Sequence, residues 1–344
     1  MDNSKKIFFI QEHSNESFYH GGVGNSDIEK ILLQKGSRPI IFPLRYDFSI
    51  RAKLVRILFL IKVCFSMPAK SVLIFQYPLY ARMHKILLTF LHFRKSIQKI
   101  CLIADINGIK NGNDEQLRKD QYFFHRYRYF ILHNANMKKW LDGIIPGNIS
   151  AELSFFDFLA HPYEGVRSKT FQLAFAGNLE KSLFLEKADD LLSSKKLSIF
   201  VYGPGFNTKM NSQKALVYKK IVTPYELPQQ IDGSFGLVWD GNGSFDQKDS
   251  MSHYMHYISH HKLSLYILSG LPIIIYSKAG SVGLIERYGI GITINRLEEI
   301  EEKIAAITDR EYKQMQQNLQ PLAQKIMIGG NLTTALETIL KKMK

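Results

Sequence analysis

An α/β chain of parallel sheets with helices on both faces is what this sequence predicts, on three observations. Short apolar runs alternate with stretches of helical spacing along most of its length. Its 344 residues, 45% hydrophobic and 22% charged, suffice for two globular units of ordinary size. The stretch Ser259 to Ala279, SHHKLSLYILSGLPIIIYSKA, contains one complete helix–turn–strand step. Leu263, Tyr266 and Ile267 recur at helical spacing, Gly270 to Pro272 stops the helix, and Ile273 to Tyr276 is too short for anything but a buried strand.

In chain order, Lys5 to Gln11 is the first strand, and its start shows no apolar export segment. The glycine-rich loop that follows carries Gly21, Gly22 and Gly24 ahead of a helix expected from about Asn25 to Gln34. Such a strand-to-helix loop lets a ligand approach the backbone closely, so phosphate or sugar contact competes here with an ordinary turn. Strand Arg38 to Pro43, helix Arg51 to Phe65, strand Ser71 to Gln76, helix Ala81 to Phe93 and strand Ile97 to Ile103 continue the alternation. Asp105 ends the LIAD run, at the carboxyl end of a strand where such sheets bind ligands. It is a candidate general base, with capping of the loop INGIKNGND as its competing role. The aromatic and arginine-rich FFHRYRYF run, Phe123 to Phe130, either stacks a sugar or lipid headgroup or packs its rings inward. Strand Tyr129 to Leu132, helix Ala135 to Leu141 and strand Ala151 to Phe156 complete the first unit. Residues 157–169 lack any period and serve as linker.

The second unit opens with strand Thr170 to Ala176, and Gly177 permits a tight turn. Asn178 and Lys181 then sit where a strand end meets a helix expected over Ser182 to Leu192, a geometry that favours anions. Strands Leu197 to Tyr202, Val217 to Thr223 and Phe235 to Trp239 follow. The last of these runs into the polar loop from Asp240 and Gly241 to Gly243, where an acidic residue is suited to accept sugar hydroxyls. Ser259 as N-cap places His260, His261 and Lys262 in the first turn of a helix, where the dipole and free amides favour anions over cations. A lysine there implies a phosphate site, unless it is a solvated surface lysine. His253, His256, His260 and His261 lack carboxylate or cysteine companions at ligand spacing, so packing or phosphate contact is expected of them and metal is not. Helices Gly280 to Tyr288, Leu297 to Ile307, Arg310 to Ile328 and Leu332 to Lys342, with strand Ile290 to Ile294, finish the chain.

Charge is distributed unevenly. The net charge is +14, and residues 1–150 hold 23 Lys and Arg against 11 Asp and Glu. Two helical stretches there, Arg51 to Phe65 and Arg82 to Ile100, mix Leu, Ile and Phe with Arg and Lys. That composition suits a segment lying on an anionic surface, and equally a core helix with a solvated basic face. No nucleic-acid-binding motif accompanies it, so nucleic acid is not an expected partner. Cys64 and Cys101 both fall in apolar runs and read as reduced, buried thiols, which suits the cytoplasm.

The segment HHKLSLYILSGLPIIIYSKAG resembles the KL-x-x-Y-(small)-(small)-GLP segment of bacterial nucleotide-sugar-dependent transferases, the group holding adhesin-modifying glucosyltransferases and β-1,6-galactofuranosyltransferases. LAFAGNLEKSLFL, Leu173 to Leu185, is similar to the strand-AGNL-loop opening of the same domain. The resemblance implies a GT-B fold, two Rossmann-like domains facing each other across a cleft. The expected divisions are 1–156 for the acceptor domain, 157–169 for the linker, 170–327 for the donor domain and 328–344 for a helix crossing back to the first domain. It implies a UDP-sugar donor held by Asn178, Lys181, Asp240, Gly241 and the KL pair Lys262 and Leu263, with Tyr202, Thr223 and Tyr225 near the base and no metal or other cofactor. Related chains often carry His-Asp where this one has Ala104 and Asp105, and arginine at the place of Lys181. The implied reaction moves a hexosyl unit, galactofuranose, glucose or galactose, to a hydroxyl of a saccharide acceptor in surface polysaccharide or glycoprotein assembly. The acceptor includes a lipid-linked one, and the expected setting is the cytoplasm or the inner face of the membrane, reached through the basic first half, as a homo-oligomer. A nucleotide-sugar epimerase or hydrolase on the same fold, or a catalytically silent nucleotide-sugar-binding partner, is the alternative.

Overall fold

The structure, a computed structural model, describes residues 5–13, 22–192, 196–242 and 249–343. Strands β1 (Ile7–Ile10), β2 (Arg38–Ile40), β3 (Val72–Tyr77), β4 (Gln98–Ile103), β5 (Tyr129–Leu132) and β6 (Ile149–Glu152) form a parallel sheet in the order β2-β1-β3-β4-β5-β6. Strands β7 (Gln172–Ala176), β8 (Ser198–Tyr202), β9 (Leu216–Lys220), β10 (Phe235–Val238), β11 (Ile273–Tyr276) and β12 (Gly291–Ile294) form a second, ordered β12-β11-β10-β7-β8-β9. Every pairing in both sheets is parallel, which requires a crossover between neighbours and buries both faces. In β3 the alternation is visible residue by residue. Leu73, Phe75 and Tyr77 join one core layer, while Val72 and Ile74 join the layer on the opposite face.

The order of the first sheet reverses between β1 and β3 and that of the second between β7 and β10. Open α/β sheets bind their ligands beyond the carboxyl ends of the strands at such reversals. The last helix, Gly330–Lys342, lies against the first sheet, where Leu332, Leu336 and Ile339 pack with Phe9, Ile28 and Ile131. Asp157 holds its start by accepting from the amides of Asn331 (3.1 Å) and Leu332 (2.7 Å). Burial outweighs those bonds and pushes the Asp157 carboxyl up to about 7. The linker is irregular but anchored: Arg167 donates to the carbonyls of Ser269, Ile231 and Gly233, and the Tyr163 amide donates to Leu268.

Several elements differ from their sequence expectation. The first helix begins at Val23, so Gly24 lies inside its first turn. The loop after β4 holds a helix at Asn107–Lys110 and leads into another at Asp114–Phe124, capped by Asn113. With Leu117 as its only aliphatic residue, the second has little apolar period for a sequence reading to find, and its signal lay in the cap and in Asp114 and Glu115. The helix expected over Ser182 to Leu192 is two 3₁₀ turns, Leu179–Lys181 and Leu183–Lys187, then a short α-helix, Ala188–Leu192. Ser259 is not the N-cap: the helix is His261–Leu268 with His260 at the cap.

Candidate active site between the two sheets

A cavity of about 250 Å³ opens at the carboxyl end of β7, where the second sheet reverses. Gly177 and Gly203 make its floor possible. They follow β7 and β8 with φ of +147° and +126°, and a Cβ on Gly203 would stand 2.0 Å from the Gly177 carbonyl oxygen. Two helix starts, one from each half of the chain, meet at this space. Val23 and Gly24 come from the first turn of Val23–Gln34, and His261 and Lys262 from the first turn of His261–Leu268. First-turn amides have no intrahelical acceptor and carry the positive end of the dipole, so the convergence favours an anion.

Lys262 is positioned rather than merely present. Its ammonium donates to Asp240 Oδ1 at 2.7 Å and to the Trp239 carbonyl at 3.2 Å, and it lies 4.2 Å from the Phe175 ring centroid. An ammonium has three N–H groups, and these bonds use two. Across the carboxylate, His260 Nε2 stands 3.0 Å from Asp240 Oδ2. Burial alone would raise the Asp240 carboxyl, but Lys262 and His260 beside it hold it well below the usual carboxylate range. His261, also on the cavity wall, has its Nε2 buried with no hydrogen-bond partner among the described residues. Burial lowers its pKa to about 4, so at neutral pH it offers an uncharged imidazole.

Much of the cavity lining is apolar: Tyr202, Pro204, Ile221, Val222, Pro224 and Leu265 contribute to it. The Tyr202 hydroxyl is already engaged, accepting from the Asp232 amide at 2.8 Å, and burial pushes it up to about 12. Ile221, Val222 and Pro224 were not singled out by sequence reading. They are ordinary apolar residues, and their only signal was their place in the segment between β9 and the next helix.

Of the residues expected to hold a donor, the structure brings Gly24, Asn178, Tyr202, Thr223 and Lys262 together on this cavity. Gly21 lies outside the described residues, and Gly22 is the N-cap of the first helix. Lys181 is exposed and does not line the cavity; its carbonyl accepts from the Gly241 amide, tying those two loops together. Leu263 is wholly buried in the second core. Tyr225 reaches across the domains instead, donating its hydroxyl at 2.5 Å to Asp27, a fully buried carboxylate that also accepts from the Leu159 amide.

Asp105 stands at the domain boundary, away from the cavity lining. Its Oδ2 meets Lys110 Nζ at 2.7 Å and its Oδ1 accepts from the Tyr254 hydroxyl at 3.0 Å. Close by, His133 Nδ1 accepts from the Ser259 amide at 3.1 Å, and burial lowers that imidazole to about 4. Among the described residues no three His, Cys, Asp or Glu side chains converge as a metal site would require.

Residues 6–143 match the N-terminal domain model of glucosyltransferase 3-like proteins, and residues 173–339 match the C-terminal domain model of the same proteins. The chain is 26% identical over 285 residues to the β-1,6-galactofuranosyltransferase WbbI of Escherichia coli K12, covering 80% of this chain and 81% of that one. Its fold superposes with a TM-score of 0.62 on the Anabaena protein HepE, crystallised with UDP, at 10% identity and covering 98% and 100% of the two chains. A TarM variant of S. aureus, crystallised with UDP among other ligands, gives 0.53 at 13% identity over 78% of this chain; the chain spans 55% of TarM. With both family domains matched in order and two parallel sheets in the fold, the chain belongs to the glucosyltransferase 3-like family and is a glycosyltransferase of the GT-B fold.

Proposed function

We propose that the chain transfers a hexosyl unit, galactofuranose, glucose or galactose, from a UDP-sugar to a hydroxyl of a saccharide acceptor. The observation that carries this reading is the meeting of two helix starts and the Lys262 ammonium on one cavity whose lining is otherwise largely apolar. In this reading the apolar lining takes the uracil ring and the helix starts take the diphosphate. As the glycosidic bond breaks, negative charge grows on the leaving diphosphate, and donors already fixed in place stabilise it without reorganising. Asp240 fixes Lys262 for that task, and the ammonium's remaining N–H faces a phosphate oxygen. These groups neutralise the leaving group in place of a metal ion. Asp105, bound to Lys110 and Tyr254, acts as a brace between the domains rather than as the base. The acceptor in this reading is a saccharide of surface polysaccharide or glycoprotein assembly, met in the cytoplasm or at the inner face of the membrane. The relatives, named a β-1,6-galactofuranosyltransferase and glucosyltransferase 3, support the hexosyl transfer itself.

A thermal-shift panel of UDP-, GDP- and ADP-sugars tests the donor, because a ligand that binds only the folded state raises its melting temperature. UDP-sugars alone should raise it, and transfer to a saccharide should persist in EDTA. Stabilisation by GDP-sugars in preference to UDP-sugars, or turnover of donor with water as the sole acceptor, would refute the reading.

A further inference from the structure

The helix Ile50–Ser66 presents an apolar face to solvent. Surface helices place polar residues outward, yet Ile50, Leu54, Ile57, Leu58, Ile61 and Phe65 recur at the spacing of one stripe and are all exposed, Phe65 by 85%. Ala52, Arg56 and Leu60 occupy the inward face, with the Arg56 guanidinium bonded to the carbonyls of Leu44 and Asp47. Phe48, 80% exposed, lies just before this helix, and Phe93, 78% exposed, ends the helix packed beside it. Patches of this kind mark a docking surface.

The charge around the stripe identifies what docks. Residues 51–100 contain ten Lys and Arg and no Asp or Glu. Arg51, Lys53 and Lys62 are exposed and flank the stripe on the helical projection. A second copy laid on this face would set cations against cations. An anionic bilayer supplies both an apolar layer and the opposite charge, and the basic side chains have stems long enough to reach the headgroups. No described helix is long and apolar enough to cross a membrane.

We propose that the face formed by Ile50–Ser66, with Phe48 and Phe93, docks the enzyme on an anionic lipid surface. The helix lies in the plane of the interface, its stripe at the acyl boundary and Arg51, Lys53 and Lys62 among the headgroups. This goes beyond the transferase reading and does not depend on it, since it needs no nucleotide. The test is co-sedimentation of the full chain with phosphatidylglycerol vesicles and with phosphatidylcholine vesicles, together with light scattering for oligomeric state. The wild type should pellet with phosphatidylglycerol, far less with phosphatidylcholine, and less in high salt. The double variant Leu58→Glu, Ile61→Glu should lower the bound fraction about ten-fold while leaving the melting temperature and its UDP shift unchanged. Should that variant misfold, the charge reversals Arg51→Glu, Lys53→Glu and Lys62→Glu give the same reading from the other component. Wild-type protein that stays in the supernatant, variants that bind as the wild type does, or a wild-type dimer that the double variant splits with no vesicle binding would each overturn the proposal.

Discussion

Glu12 and Asp240 stand at corresponding places in the two halves, each just past a strand beside the point where its sheet reverses, and they do different work. Glu12 follows β1 and is spent on the scaffold. Its oxygens accept from the amides of Ala81 and Tyr80, and His84 Nδ1 lies 3.2 Å away. Asp240 follows β10 and is spent on side chains, Lys262 and His260. A carboxylate that holds amides stiffens a wall, whereas one that holds an ammonium aims a cation. The charged side chain on the cavity, Lys262, is thus held from the second sheet's reversal, while Glu12 is taken up within the first half.

The comparison breaks most sharply at Lys262. Lys262→Ala should cut kcat/KM by about 10²–10³, the cost of removing one fixed donor to a developing anion, with circular dichroism unchanged. Loss below about three-fold would place the charge elsewhere. Next comes Glu12→Gln, whose effect should be on stability. Burial opposes ionisation of Glu12, but His84 and the amides of Ala81 and Tyr80 bring its pKa down to about 2 from an ordinary 4.5. A depressed folded pKa means a contribution fully present above pH 4.5 and lost as pH falls toward 2, worth about 3 kcal/mol. The wild-type melting temperature should therefore fall over that window, and the variant should start lower and fall less. Asp240→Asn should lower kcat/KM about ten-fold, through misplacement of Lys262, and leave binding of a neutral uridine nucleoside unaltered. Smallest of all, Lys181→Ala should change kcat/KM less than about three-fold, as expected of an exposed lysine outside the cavity; a loss matching that of Lys262→Ala would join it to the site.

How much of this was legible depends on how local each signal is. Apolar runs placed the central strands such as β3, β10 and β11, because a strand buried on both faces must be apolar throughout. The edge strands β2 and β9, by contrast, are largely exposed, and β6 spans Ile149–Glu152, ahead of the expected Ala151 to Phe156. Lys262 was legible because a cation in a helix's first turn contradicts the dipole and so asks for an anion. Lys181 met the same sequence rule but lies off the cavity. Two 3₁₀ turns replace the expected helix there, and the sequence holds no sign of where that loop's exposed residues point. Tyr225 likewise reads as a pocket ring until its hydroxyl is seen bonded to Asp27, 198 positions away in the chain. The apolar stripe of Ile50–Ser66 was visible as a pattern, but only packing shows which side of the helix is covered.

By itself the sequence determined the alternation of strand and helix, the two glycine-lined turns, the KL-x-x-Y helix start and the basic first half, all of which are set by neighbours within a few positions. Tertiary structure alone decided that Asp240 holds Lys262, that His261 and Gly24 face each other, with a Cβ on Gly24 reaching within 3.0 Å of the imidazole, and that Asp105 braces Tyr254. Those pairings join residues far apart in the chain, and a side chain's partner across such a distance is fixed by the packing of whole sheets rather than by its local spacing.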